Sequence, residues 1–405
     1  MSHHRTNPPR ALLLENIDRG AAQLLEENGW SVERVDRALS AADLIAKLEN
    51  VELLGIRSQT QLTDEVFEAA PDLVAVGAFC IGTNQIDLAS ATRRGIAVFN
   101  APYSNTRSVV ELVIAEIIAL TRRLTEKNRE IHEGLWDKSA VNSHEIRGRQ
   151  LGIVGYGNIG SQLSVLAENL GMTVRYYDST DRLALGNARR CATLTELLHS
   201  SDVVSLHVDG RPDNRNLFGE EEFAEMRPGS LFLNLSRGFV VDHVALAASI
   251  RSGHLAGAAI DVFPKEPAGK GDPFVSDLRG LPNVILTPHV GGSTEEAQVD
   301  IGQFVAQKLQ AYVLKGTTSL SVNLPNVELG QRLGAHAVVH IHRNTPGVLA
   351  TINAVFADNK VNIEGQALGT LGDVGYVITE IATDDTEEMR DRLEHLDETI
   401  RVRRL

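Results

Sequence analysis

Between Ala11 and about residue 100, short apolar runs alternate with stretches whose apolar residues recur at helical spacing. The runs "ALLLE", "VELLGIRS", "LVAVGAFC" and "IAVFN" predict strands with helices between them, and that alternation predicts an open parallel sheet. From Ser104 the segment "NTRSVVELVIAEIIALTRRLTEKNREIHEG" predicts one long helix, opened by cap-type residues and closed by Gly134. A second strand–helix series begins at "LGIVGYGNIG", with strands "LGIVG", "TVRYYD", "DVVSLHV", "GSLFLNLS", "GAAIDVF" and "NVILTPH". In the last of these, Asn283 through Thr287 suit the interior of a sheet. A helix from Thr294 to Leu314 comes next, and "SLSVNLPNVELGQRLGAH", with its Gly, Pro and Asn, predicts a linker.

Beyond the linker the order changes. Strand "AVVHIHR", helix "PGVLATINAVFADN", strands "VNIEGQALG" and "GYVITEIA", helix "TEEMRDRLEHLDE" and strand "TIRVRRL" give a βαββαβ, ferredoxin-like order. The predicted fold class is α/β: two doubly wound parallel-sheet (Rossmann-like) lobes plus a C-terminal ferredoxin-like βαββαβ module. The expected boundaries are 1–104 with 293–333 for a substrate-binding domain, 105–292 for a dinucleotide-binding domain, and 334–405 for a regulatory module.

Bulk properties narrow the picture. At 405 residues, 43% hydrophobic and 23% charged, the chain has ordinary soluble composition and room for two or three domains. A net charge of −14 disfavours nucleic acid and anionic membrane as partners, so an anionic substrate needs a local cluster of cations. Cys80 and Cys191 stand far apart, which excludes a disulfide framework and a Cys-rich zinc site; no metal is expected. "SVVELVIAEIIAL" carries Glu111 and Glu116 and is too short to span a bilayer. With the polar start "MSHHRTNPPR" and no signal-peptide pattern, a cytoplasmic protein is expected.

"GYGNIG" places Gly155, Gly157 and Gly160 in the G-x-G-x-x-G spacing, directly after a strand and opening a helix. The first glycine allows the tight turn, the second lets backbone approach a pyrophosphate, and the third lets helix and strand pack closely. Asn158 and Ile159 then present backbone N–H groups at the positive end of the helix. The next strand ends in Asp178, where a ribose-binding carboxylate is required; it would repel a 2′-phosphate, so NAD is favoured over NADP. Arg175, three positions earlier, belongs to the opposite face of the strand and is discounted.

Three later strand ends carry charge. "LFLNLSRG" ends in Arg237, "AAIDVFPKEP" leads through Asp261 to Glu266, and "VILTPH" ends in His289. Singly they read as a surface arginine, a loop glutamate and an edge histidine. Beside a nicotinamide site they form the set that oxidation of an alcohol needs. A histidine titrating near neutrality can take the hydroxyl proton. A carboxylate on its ring fixes the tautomer, and a guanidinium can grip a substrate carboxylate in two parallel hydrogen bonds.

"NLSRG", "DVFPKEP" and "TPHVGGST", in that order behind "GYGNIG", resemble the D-isomer-specific 2-hydroxyacid dehydrogenases. Within that family the likeness is to the short bacterial type that acts on 3-phosphoglycerate and ends in an ACT domain, and it runs from "GIRSQT" to the final strand. The resemblance implies oxidation of D-3-phosphoglycerate to 3-phosphohydroxypyruvate with NAD, the step that opens L-serine biosynthesis. It makes Arg237 the substrate-orienting arginine, Glu266 the partner of the histidine and His289 the acid/base. Cofactor contacts would fall on Asn158, Ile159, Asp178, Leu235, Arg237, Asp261, His289 and Gly292, beside the glycines of the loop. Substrate contacts would fall on Arg57, Ser58 and Asn105, while Lys138 matches a lysine approaching the phosphate from a neighbouring subunit. A doubly anionic substrate suits the cations Arg57, Lys138 and Arg237.

By the same resemblance, "HIHRNTPGVL" and "NKVNIEGQ" belong to a serine-binding ACT domain, with L-serine as an allosteric inhibitor contacting His342, Asn344 and Asn362. It also implies a homotetramer joined partly through these domains. The linker departs from the family's paired glycines, since Gly330 and Gly334 are separated. Other readings are a reductase of 2-oxoglutarate, hydroxypyruvate or glyoxylate in the same family, and an NAD-sensing, corepressor-like binding protein. The intact Arg–Glu–His set argues against the last.

Overall fold

A computed structural model describes residues 8–267, 271–330, 336–383 and 386–405. Gly334 and the first seven residues of the polar start lie outside the described residues. The chain divides into two compact units, Met1–Ser104 with Gln298–Leu405, and Asn105–Ala297.

The first unit holds a parallel sheet of β1 (Arg10–Leu13), β2 (Ser31–Arg34), β3 (Val51–Ile56), β4 (Ala75–Ala78) and β5 (Ala97–Asn100), in the order β2-β1-β3-β4-β5. Its inner strands read as unbroken apolar runs because both faces are covered; Ala75 through Ala78 are all buried. β2 has no such run. "SVER" is an edge strand, and its polar residues hid it from the hydrophobic pattern.

The expected linker is ordered where it is described. Val322 donates its amide to Val98 O at 2.9 Å, and Val98 donates to Asn323 Oδ1 at 2.8 Å, so this stretch edges β5. Leu324 and Val327 enter the core at 1% and 5% exposure. Apolar burial outweighs the turn-forming residues around it.

The second unit carries β6 (Gln150–Val154), β7 (Thr173–Tyr177), β8 (Arg189–Arg190), β9 (Val203–Leu206), β10 (Ser230–Asn234), β11 (Leu255–Ile260) and β12 (Val284–Leu286). They form one parallel sheet in the order β12-β11-β10-β9-β6-β7-β8. β12 is therefore an edge strand and half-buried, not the sheet interior that its sequence suggested. The long helix expected from Ser104 is two helices, Thr106–Thr121 and Leu124–His132. Arg123 between them is left-handed at φ 52°, and Glu126 of the second helix accepts the Asn283 amide at 3.1 Å. Helical periodicity continues across the break, so the turn left no mark in the pattern.

Within the first unit the C-terminal module is an antiparallel sheet of β13 (His336–Arg343), β14 (Ile363–Leu371), β15 (Val374–Ile381) and β16 (Thr399–Arg404), in the order β14-β15-β13-β16. One face packs Val338, Val377 and Ile381 against Ile352, Phe356, Met389 and Leu393 of its two helices. The other face puts Val339, Ile341, Tyr376 and Ile378 into the core that contains Leu309 and Tyr312 of the Glu295–Lys315 helix. Arg401 donates to Leu73 O at 2.6 Å and to Pro71 O at 2.8 Å. Module and first sheet thus share one core. Among the described residues no helix is long and apolar enough to cross a membrane.

Candidate active site

In the second unit the loops that leave β10, β11 and β12 open at one edge of the parallel sheet. Past β12 the chain turns around Asp261. Thr287 Oγ1 donates to Asp261 Oδ1 at 2.6 Å, and the amides of Val290 and Gly291 donate to its two oxygens at 2.8 Å each. His289 stands in this turn at φ 56°, a left-handed conformation rare for a residue with a side chain. Asp261 is 1% exposed, and the turn occupies both of its oxygens. Glu116, also buried, is pushed up to about 8 by burial and by the charge of Asp261. It is mostly protonated at neutral pH, so no second full charge opposes Asp261.

The turn aims His289 Nδ1 at Glu266, 3.1 Å from Oε1 and 2.9 Å from Oε2. Glu266 Oε1 also accepts the Phe263 amide at 3.1 Å, which fixes the carboxylate from its own loop. An ionised carboxylate only accepts, so Nδ1 holds the proton and Nε2 is the nitrogen left to exchange one. The Glu266 hydrogen bond holds the imidazole pKa above its usual value and outweighs burial, which acts the other way. Burial pushes Glu266 up, but the His289 hydrogen bond and charge, the Phe263 amide and Arg237 together hold its carboxyl below the usual range.

Arg237 follows β10 through a second fixed turn. The fully buried Asn234 donates to Arg237 O at 3.1 Å and accepts from Ser236 N at 3.0 Å and Ser236 Oγ at 2.7 Å. Gly238 is required next, because a Cβ there would lie 2.0 Å from the carbonyl carbon of Phe263. The two loops pack backbone to backbone, and the Arg237 charge is felt by both His289 and Glu266. Arginine, glutamate and histidine thus share one end of one sheet.

Residues 114–291 match the family model of the D-isomer specific 2-hydroxyacid dehydrogenase NAD binding domain, and residues 338–401 match an AHAS small subunit-like ACT domain. The D-3-phosphoglycerate dehydrogenase of Haemophilus influenzae is 48% identical over 393 residues, 97% of this chain and 96% of the relative. That of Escherichia coli is 49% identical over 397 residues, covering 97% of each chain. The chain belongs to the D-isomer specific 2-hydroxyacid dehydrogenase family. It is an NAD-dependent dehydrogenase. A solved D-lactate dehydrogenase from Aquifex aeolicus, complexed with NAD and lactic acid, superposes with a TM-score of 0.67 at 25% identity, covering 78% of this chain and all of that one.

The dehydrogenase's own residues fit the dinucleotide. Gly155, at φ 91°, follows β6, and a Cβ there would lie 2.6 Å from His207 O, beyond β9. β6 and β9 are neighbours, and the chain leaves β6 in the other direction, through β7, so this loop stands at a topological switch point. A Cβ on Gly157 would meet nothing within 4 Å, which leaves open space at the head of the Asn158–Asn169 helix. A Cβ on Gly160 would lie 2.3 Å from Gly155 O, so only glycine lets this helix close on the loop. Asn158 and Ile159 form the first turn of that helix, with their amides at its positive end. Asp178 Oδ2 accepts the Tyr156 amide at 2.8 Å and its Oδ1 accepts the Thr180 amide at 2.9 Å, while Arg182 Nε lies 3.8 Å from Oδ2. Burial pushes the Asp178 carboxyl up; the Thr180 and Tyr156 hydrogen bonds and Arg182 overcome it and hold the group ionised.

The remaining predicted residues fall as follows. Leu235 is buried at 7% beside Gly291, and Gly292 lies against Asn105, where an added Cβ would be 2.0 Å from Asn105 Nδ2. Asn105 heads the Thr106–Thr121 helix without capping it through its side chain, and its Oδ1 is buried with no partner. Lys138 lies on an exposed stretch with its ammonium 5.7 Å from the Trp136 ring centroid. In the first unit Arg57 and Ser58 line a pocket at the end of β3. In the C-terminal module His342 is 1% exposed, with Nδ1 on Arg343 O at 2.9 Å and Nε2 buried without a partner. Asn344 and Asn362 are exposed, and Asn344 donates to Gly372 O at 3.1 Å. Among the described residues no group of His, Cys, Asp and Glu is arranged to hold a metal.

Sequence reasoning missed Asn234 and Glu116, and it gave Asp261 a cofactor contact without seeing the turn that it holds. A polar residue at the end of an apolar strand, as in "LFLN" and "AAID", was the available signal.

Proposed function

We propose that the chain oxidises D-3-phosphoglycerate to 3-phosphohydroxypyruvate in the cytoplasm, with NAD, opening L-serine biosynthesis. The His289–Glu266 contact at 2.9–3.1 Å, with Arg237 beside it, is the observation that carries the chemistry. The two relatives named for phosphoglycerate, at 48% and 49% identity over nearly whole chains, support the substrate. Arg237 grips the substrate carboxylate and draws charge from the reacting oxygen. His289 Nε2 takes the hydroxyl proton, and Glu266 stabilises the imidazolium that results. The chemistry supplied by bound NAD is acceptance of a hydride from the hydroxyl-bearing carbon. In the reverse direction the imidazolium returns its proton to the carbonyl oxygen.

Residues 1–104 with 293–333 serve the substrate, 105–292 the dinucleotide and 334–405 regulation. Arg57, Ser58 and Asn105 contact the substrate, and Lys138 reaches the phosphate of a neighbouring protomer in a homotetramer. Exposed apolar side chains around that lysine, Leu135, Trp136 and Val141, support an association through this stretch. The test is a substrate panel followed by NADH absorbance: 3-phosphoglycerate, phosphohydroxypyruvate, 2-oxoglutarate and glyoxylate. The phosphorylated pair should give the highest kcat/KM by at least about tenfold, a difference of about 1.4 kcal/mol. Faster turnover of an unphosphorylated oxoacid would replace the substrate while leaving the chemistry in place.

Asp178 sets the cofactor. In Asp178→Ser the repelling carboxylate is gone and Arg182 remains to meet a 2′-phosphate. The NAD/NADP preference should fall by roughly tenfold or more, about 1.4 kcal/mol, measured as the ratio of kcat/KM values. An unchanged ratio would remove Asp178 from the ribose site.

L-serine binds the C-terminal module through His342, Asn344 and Asn362 and inhibits. To do so it must favour one state over another, and a tenfold preference is worth about 1.4 kcal/mol per site. Asn344→Ala and Asn362→Ala should raise the serine needed for half inhibition by about tenfold while leaving uninhibited turnover intact. Calorimetry without serine binding to the unmodified protein would end this part of the reading.

A further inference from the structure

In the first sheet β1 lies between β2 and β3, so the loops that follow β1 and β3 open at a topological switch point, where ligands of such sheets bind. A pocket of about 200 Å³ stands there, lined by Glu15, Asp36, Arg37, Arg57, Ser58 and Gln59 among others. Glu15 and Asn16 leave β1 in left-handed conformations, φ 60° and 54°, and the Glu15 side chain crosses to the loop beyond β3. There its carboxylate accepts the amides of Arg57 at 3.2 Å, Gln59 at 3.0 Å and Thr60 at 2.8 Å. Glu15 is 8% exposed, so these amides stand in for water around a buried charge. From the other side Gln85 Nε2 donates to Arg57 O at 2.6 Å, and Gln85 is itself 7% exposed.

We propose that Glu15 is a positioning residue for the substrate: it folds the Arg57–Thr60 loop around its carboxylate and so fixes Arg57 and Ser58, with Gln85 as the second anchor. The inference rests on the reading of Arg57 and Ser58 as substrate-binding. Three converging amides favour one backbone conformation, and Arg57 lines the pocket from the loop that they anchor. The ordering cost of gripping an anion is then met on folding and not on binding. Glu15, Gln85 and the Arg57–Thr60 loop belong to the first unit and the glycine loop to the second, so NAD binding is an internal control.

The experiment compares full-length Glu15→Gln, Gln85→Ala and Arg57→Ala in steady-state kinetics with 3-phosphoglycerate at saturating NAD. An amide at position 15 keeps one acceptor but turns N–H groups toward N–H groups. Glu15→Gln should raise KM for 3-phosphoglycerate about tenfold, with kcat within about threefold and KM for NAD unchanged. Gln85→Ala should raise the same KM in the same pattern, and it decides the matter should Glu15→Gln not accumulate as folded protein. Lower thermal stability with an unmoved KM in both would make the pair structural only and overturn the proposal. If Arg57→Ala raises KM while the other two do not, positioning fails and the substrate reading survives. If Arg57→Ala leaves KM unmoved, the reading on which the proposal rests fails.

Discussion

Replacing His289 with Ala lowers kcat for oxidation of 3-phosphoglycerate by roughly 10²–10⁴-fold, the usual contribution of a positioned general base. Neither neighbouring carboxylate is poised to replace it: Glu266 loses its partner, and Asp261 is committed to the turn. Position 289 is left-handed at φ 56°, a conformation that costs a residue with a Cβ about 1–2 kcal/mol and that alanine, like histidine, must adopt. His289→Asn is the control, since asparagine tolerates that conformation. Both variants should still bind NAD, since the glycine loop and Asp178 are untouched, and should lose turnover alike. Near-normal turnover in either would return His289 to a role in folding the turn.

Arg237→Ala should cost 2–5 kcal/mol, about 30- to several thousand-fold in kcat/KM, because the substrate carboxylate loses a charged, two-point partner. The fold should survive. Asn234 and Gly238 hold the backbone of this loop, and the side chain's own hydrogen bond to Ser236 O, at 2.7 Å, is worth about 1.5–3 kcal/mol. Arg237→Lys should recover a minor part, since a point charge cannot reproduce the fork. Full activity in the lysine variant would mean that charge alone, without bidentate geometry, serves the substrate.

Much of this was legible in the chain. Parallel strands covered on both faces leave unbroken apolar runs, so "LVAVGAFC" and "GAAIDVF" announced themselves. Arg237, Glu266 and His289 stand just past the ends of such runs, at the carboxyl edge where a doubly wound sheet presents side chains to a ligand. What was hidden is of another kind. Glu15, Asn234 and Asp261 act on backbone amides and carbonyls, and a backbone group has no letter in the sequence. The amides that Glu15 holds lie 42 to 45 residues away. The break at Arg123 and the edge strand "SVER" were hidden because periodicity reports burial, and neither interrupts nor displays any.

The proton-transfer assignment is tested most directly by the pH profile of kcat/KM for 3-phosphoglycerate oxidation in the unmodified protein and in Glu266→Gln. Oxidation needs neutral His289, so the rate rises with pH through the imidazole pKa. Glu266 holds that pKa above its usual value by favouring the imidazolium. With the charge removed the pKa falls, and the rising limb of the profile should move to lower pH, together with a lower plateau as the imidazolium formed in the reaction loses its countercharge. A rising limb that stays in place, or moves to higher pH, would contradict the assignment of His289 and Glu266 as the pair that carries the proton.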